Sequence, residues 1–454
     1  MRARLVAPLI AASFVRQAHA QDALPASSPP AQPSSAPTER DQELERQRRV
    51  IAELERSVRS LEQHERSPLL RFSGYVQVDW LIHSQASSNE LDYSSNLPLN
   101  QDRFTLRRGH LRVDAKQGYS SAALEIDANT LNGPQLRPID AELSLRYPEN
   151  AQASDPEVAL TLGLMKIPFG FEVPELDSVR PFLERASVLR ALFPGEFDLG
   201  ARVQARYQVV NLALAVMNGN PLGARTFPAL APVSAKDLVG RLGTRAEITP
   251  EVVLECGVSA ETGKGLEPGT PTTKDQLVWR DENGDGIVQA TEVQVIPGSS
   301  ATPSSEFARF ALGADARLLV AIPVLGGLAV RVELIRAQNL DRGLEPAAPI
   351  ATGYDLRELG WYVGATQELT KCAEIGARYD RYNPNQNALE RRAENLVPYD
   401  RSYSTLALMA MARYENARLL LEYDVNGNAL GRAASGAPTT LRSNALTLRG
   451  QVVF

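Results

Sequence analysis

The final segment, residues 441–454, alternates with a period of two and stops on an aromatic ring. Leu446, Leu448, Gly450, Val452 and Phe454 fall on one side, and Thr447, Arg449, Gln451 and Val453 on the other. Successive side chains of a strand point to opposite faces. A strand with one face for lipid, one for a lumen and a terminal ring at the interface is suited to closing an outer-membrane β-barrel.

The same period runs back to residue 69, and about sixteen candidate strands can be marked, an even number within the barrel range. In residues 70–84, Phe72, Gly74, Val76, Val78 and Trp80 share one face, and Gln77 and Asp79 the other. Arg202, Gln204 and Arg206 alternate with Ala201, Val203, Ala205 and Tyr207, and Arg331 and Glu333 with Val330, Val332 and Leu334. Short turns (116–118, 249–250) alternate with long polar connections (85–101, 219–235, 263–305, 383–401), as an up-and-down barrel requires. Soluble β-sandwiches alternate too. The terminal Phe454 and the N-terminal segment favour the barrel. The expected fold is all-β: a transmembrane antiparallel β-barrel over residues 67–454.

Residues 1–20 carry Arg2 and Arg4, an apolar run from Leu5 to Val15, and Ala18-His19-Ala20. This is the pattern of a secretory signal cleaved after Ala20. Residues 21–38, rich in Ala, Pro and Ser, read as a disordered linker. In residues 39–66, Leu44, Ile51 and Val58 fit heptad a positions and Gln47, Leu54 and Leu61 fit d, giving a short coiled-coil helix. Gln47 weakens the seam and leaves its oligomeric state open.

The 454-residue chain has no apolar run of the ~18–20 residues that a spanning helix needs. A net charge of −6 gives no support to nucleic-acid binding. Two cysteines, Cys256 and Cys372, are too few for a disulfide framework. Four histidines, one inside the signal, present no triad or zinc pattern, so no enzyme is expected.

Residues 168–197 break the strand pattern. They are partly apolar and carry Arg180, Arg185 and Arg190, with helical spacing of Phe182, Leu183, Ala186 and Leu189 over 181–192. Strandless loops of this length are usually functional. A half-apolar one is best hidden inside the barrel, where it narrows the passage.

Gly163, Lys166, Pro168 and Phe169, then Glu184, Arg185 and Ser187, then Pro194, Gly195 and Gly200 together resemble the phosphate-selective porin family, porins O and P of Gram-negative outer membranes. The opening strand FSGYVQVDW and the DRFTLRRGHLRVDA strand look similar to it as well. The resemblance covers about residues 72–454 and is most specific over 163–203. It implies a sixteen-stranded barrel in the lipid bilayer, usually a homotrimer, whose inserted loop and luminal basic residues select small anions.

Selectivity needs fixed positive charge at the narrowest point, and the arginine fork suits phosphate oxygens. The candidates are Lys166, Arg180, Arg185 and Arg190 around the constriction, and Arg202, Arg206, Arg241 and Arg245 on the walls. Lys166 shares the parity of Leu160, Leu162 and Leu164, which are expected to face lipid. It therefore needs a bulge, a strand end or a snorkelling side chain. Luminal parity also gathers acids: Asp79, Glu125, Asp127, Asp140, Glu142, Glu247, Asp315, Glu333 and Glu422. Mixed rows of this kind also suit a general small-solute porin without anion preference; the coiled coil and the loop at 281–292 would suit a structural or adhesive barrel with a plugged lumen.

Residues 281–292, DENGDGIVQATE, match the twelve-residue calcium loop. Asp281, Asn283, Asp285, the Ile287 carbonyl, Gln289 and Glu292 are the expected ligands, and Gly286 allows the turn. Short strands rather than helices are expected to flank it, giving a lone, weak calcium loop.

Overall fold

The computed structural model describes residues 69–454 except 85–86, 92–97, 132, 149–156, 225–232, 393, 430 and 433–437. The expected signal, linker and coiled coil lie outside the described residues. The strands form one closed barrel, sixteen around, each hydrogen-bonded antiparallel to its neighbours. They are β1 Leu69–His83, β2 Arg103–Gln117, β3 Ser120–Asn129, β4 Gln135–Tyr147, β5 Val158–Lys166, β6 Phe197–Tyr207, β7 Val210–Met217 and β8 Asp237–Thr249. They continue as β9 Val252–Glu267, β10 Ser305–Ile322, β11 Gly326–Gln338, β12 Arg357–Thr370, β13 Ala373–Asn383, β14 Tyr403–Tyr414, β15 Ala417–Gly427 and β16 Ala445–Val453.

The first and last strands seal the wall, with Tyr75 opposite Val453, Asp79 opposite Arg449 and His83 opposite Ala445. Past the end of β16, Gly74 and Phe454 exchange two backbone hydrogen bonds of 2.9 Å. A Cβ on Gly74 would lie 2.3 Å from the His110 carbonyl and 2.7 Å from the Phe454 ring. The glycine leaves room for the terminal aromatic to lie against the wall.

The two-residue period has the expected consequence for burial. On β11, Val332 is 43 % and Leu334 49 % exposed, whereas Glu333 and Ile335 are 1 % and 0 % exposed. The outward apolar side chains form the lipid-facing band. Tyr147, Tyr207 and Tyr414, each closing a strand at the short-turn end, are exposed with Tyr119, Phe72 and Phe454. They make one aromatic girdle at the end that also carries both barrel termini.

The residues after β5 fold into the lumen. Ile167, Phe169, Val173, Ala186, Val188, Leu189, Leu192 and Phe193 form one buried cluster with Ile335, Tyr362 and Tyr382 of the wall. Phe182 and Leu183 form a second with Ala407, Met409, Met411 and Leu420. Within the insert a single short helix, α1 (Ser187–Leu192), lies at the end of the helical stretch expected over 181–192.

Candidate functional site: an insert bolted across the lumen

Residues 167–196 cross the barrel and are tied to wall strands by polar as well as apolar contacts. The Gly170 amide donates to Ser259 Oγ at 3.0 Å. Arg331 Nη1 donates to Glu175 Oε1 at 2.7 Å. Arg378 Nη1 reaches the Glu184 carbonyl at 2.8 Å and Glu172 Oε1 at 3.3 Å. The Leu183 amide donates to Glu422 Oε2 at 3.0 Å. On β16, Arg449 grips Asp79 through two 2.7 Å bonds and also donates to the Leu183 carbonyl at 2.9 Å. Arg107 closes the ring with two bonds, 2.6 and 2.7 Å, to Glu184. Bidentate pairs of this sort fix orientation as well as adding energy.

Three cavities follow one another along the insert. One of about 270 Å³ lies between it and the β2–β4 wall, lined by Arg107, Arg108, Arg137, Asp177, Arg185 and Arg190 among others. A neck of about 10 Å³ is lined by Gln77, Asp177, Arg180, Phe182, Arg418, Leu420, Arg449 and Gln451. The third, about 420 Å³, lies at the short-turn end beside Val179, Pro181, Arg331, Arg413 and Arg418. Asp177 lines the first and the neck, and Arg418 lines the neck and the third. The neck holds at most one water.

The neck carries three arginines, Arg180, Arg418 and Arg449, against one carboxylate, Asp177. Arg449 is matched by Asp79 and Arg180 by Asp177. Arg418 instead donates to the Ser178 carbonyl and, at 2.7 Å, to Gln451 Oε1, both neutral acceptors. Burial works to raise the Asp177 carboxyl, but Arg108, Arg180 and Arg185 outweigh it and hold the group well below its ordinary range. Glu184 is likewise held low, with Arg107 and Arg108 overcoming its burial.

Of the residues anticipated from sequence, Arg180 and Arg185 meet at the insert tip around Asp177, and Arg185 also pairs with Glu196. Arg190 projects from α1 onto the first cavity, bonded to Ser187 Oγ at 3.2 Å. Lys166 faces the insert rather than lipid: its Nζ donates to the Glu175 carbonyl at 2.6 Å and lies 3.4 Å from Glu196. Gly163, at φ 128°, interrupts the alternation, and Leu164 and Met165 after it are both buried. Arg202 is held by the Lys166 carbonyl at 3.0 Å. The other three stand away from the neck. Arg241 forks onto Asp315, Arg245 pairs with Glu255, and Arg206 is exposed near the turn that follows β6.

The residues missing from that set are Arg107, Arg108, Arg418 and Arg449. Arg449 had been placed on the polar side of the closing strand by its parity. Its role shows only once the insert reaches it.

In the 281–292 loop, Asp281 accepts the Gly284 and Gly286 amides at 2.7 and 2.9 Å, and Asp285 accepts Ile287 at 2.7 Å. Asn283 caps the Asp285 amide at 2.9 Å, and Gln289 Nε2 donates to Asp285 at 2.8 Å. Glu292 takes a 3.2 Å bond from the Trp279 indole. Two short paired strands, Gln276–Trp279 and Val293–Ile296, flank the loop. Among the described residues no group of three or more His, Cys, Asp or Glu side chains is gathered as metal ligands would be.

The sequence matches no family model and no curated relative. Among solved structures, the outer-membrane channel DcaP of Acinetobacter baumannii is similar at 11 % identity and a TM-score of 0.53, covering 86 % of this chain and 98 % of that one. OprB of Pseudomonas putida is similar at 12 % identity and a TM-score of 0.51, covering 87 % and 96 %. At these identities the likeness is one of fold: a sixteen-stranded barrel of the outer-membrane channel type. With its apolar outer band and aromatic girdle, such a barrel belongs in a Gram-negative outer membrane.

Proposed function

We propose that this protein is a porin for passive diffusion of small anions, with the insert as its selectivity element. The observation that supports this reading is the charge of the neck: three arginines face one carboxylate, and Arg418 is held by neutral acceptors. Low-dielectric walls focus such fixed charge on a passing ion. Phosphate is the solute that the resemblance over residues 163–203 suggests, and a homotrimer the assembly. Cross-linking of the detergent-folded protein, giving a band at three times the chain mass, checks the assembly.

A second reading, a plugged structural barrel, is favoured by the neck volume of about 10 Å³. Single-channel recording in a planar bilayer separates the two. The porin reading expects discrete steps that millimolar phosphate reduces. A folded, heat-modifiable barrel that never conducts would establish the plug, and steps indifferent to phosphate would remove phosphate as the solute.

A further inference from the structure

Asp177 stands where a bound anion would stand. Its Oδ2 lies 3.0 Å from Arg108 Nε, and its Oδ1 takes Arg180 Nη2 and, at 3.4 Å, Arg185 Nη2. All four side chains are at least nine-tenths buried. Arg108 also meets Glu184, at 3.5 Å, and Arg185 meets Glu196, whereas among the described residues Arg180 forms an ion pair with Asp177 alone. The Arg180 Nε is buried and has no hydrogen-bond partner, so one donor of that fork is unmet.

We propose that Arg108, Arg180 and Arg185 form a carboxylate-binding site where the first cavity meets the neck, and that Asp177 fills it as a tethered ligand that a small free carboxylate displaces. This rests on the porin reading for its role in transport, but not for its chemistry. Three guanidinium groups converge on one planar two-oxygen group, each through a single nitrogen, with Arg108 on one oxygen and Arg180 and Arg185 on the other. Asp177 also borders the cavity of about 270 Å³, which gives its side chain somewhere to go when displaced. The insert thereby carries its own competitor: a solute carboxylate gains the arginines only by expelling Asp177, which ties opening of the neck to the arrival of the solute.

The test is calorimetric titration of sodium acetate into the detergent-folded full chain, for the natural sequence, D177N and D177N/R180Q. Removing the tethered charge is expected to tighten acetate binding about tenfold, the scale of a charge-assisted hydrogen bond, and the second change to reverse most of that gain. D177A replaces D177N if the latter gives no heat-modifiable barrel. Equal acetate affinity with and without Asp177 overturns the proposal. Tighter phosphate than acetate in the variant overturns the carboxylate assignment. Because binding is read without current, a barrel that never conducts would defeat the porin reading while leaving this result intact.

Discussion

Arg418 and Arg449 are neighbours in the neck with different consequences. Arg449 forms a buried bidentate pair with Asp79. Removing one partner of such a pair leaves an uncompensated charge and costs about 3–5 kcal/mol. R449A is therefore expected to lower the urea midpoint of the folded barrel markedly. Arg418 donates only to neutral oxygens, so R418A leaves no such orphan. Its effect belongs to the passing ion: a unit charge at ~4 Å is worth ~1–4 kcal/mol between the water and protein-surface limits. Anion-over-cation permeability should fall about tenfold, as read from the reversal potential, while stability stays close to that of the natural sequence. Parity alone placed Arg449 on the luminal side. The carboxylate opposite it comes from the far end of the chain, across 370 residues of sequence separation, which no local pattern reveals.

The insert is held by two kinds of contact. Its apolar half rests on Ala407, Met409, Met411 and Leu420. These are luminal positions of strands whose other face, Leu406, Leu408, Leu419 and Leu421, meets lipid. A strand apolar on both faces is buried on both; the run Leu406–Met411 is such a stretch, and the insert covers its luminal face. F182A empties part of this contact and should cost about 3–5 kcal/mol of packing. The loss falls on insert docking, and is expected as noisier, larger current steps from a barrel that still migrates as folded.

The polar half is held by carboxylates whose folded-state values lie below their ordinary 3.8 and 4.5, Asp177 and Glu184. A depressed acid stabilises the docked state fully above its ordinary value, and this is lost as pH falls through the folded-state value. Asp177 and Glu184 therefore stay charged through the neutral range, and the change in conductance that their release causes is expected only once pH falls below their ordinary values of 3.8 and 4.5. The insert's position in the lumen was readable from its length and its half-apolar composition. Its helix is shorter than the spacing suggested because wall contacts at Leu183, Glu184 and Ser187 take the backbone groups that a longer helix would use. Lys166 defied its parity because β5 ends at it, and its ammonium is drawn to the Glu175 carbonyl and the Glu196 carboxylate of the insert.

For the whole molecule, the strand count, the alternation of short and long connections and the closing role of the last strand were all legible, since each follows from the two-residue period. The junction depends on a glycine that the pattern treated as one more lipid-facing position. G74L would place a side chain against the His110 carbonyl and the Phe454 ring, and is expected to slow or abolish conversion to the heat-resistant folded band. What the period could not supply is the balance of charge inside, because most luminal arginines and acids cancel one another in pairs. Among the described residues, Arg418 is the arginine of the neck that no carboxylate pairs, and it sets the sign of the field at that point. That sign is measured by the reversal potential of the natural protein in a planar bilayer under a tenfold potassium chloride gradient. A potential on the chloride side, moving toward zero in R418A, is the predicted result. A potential on the potassium side would contradict the account.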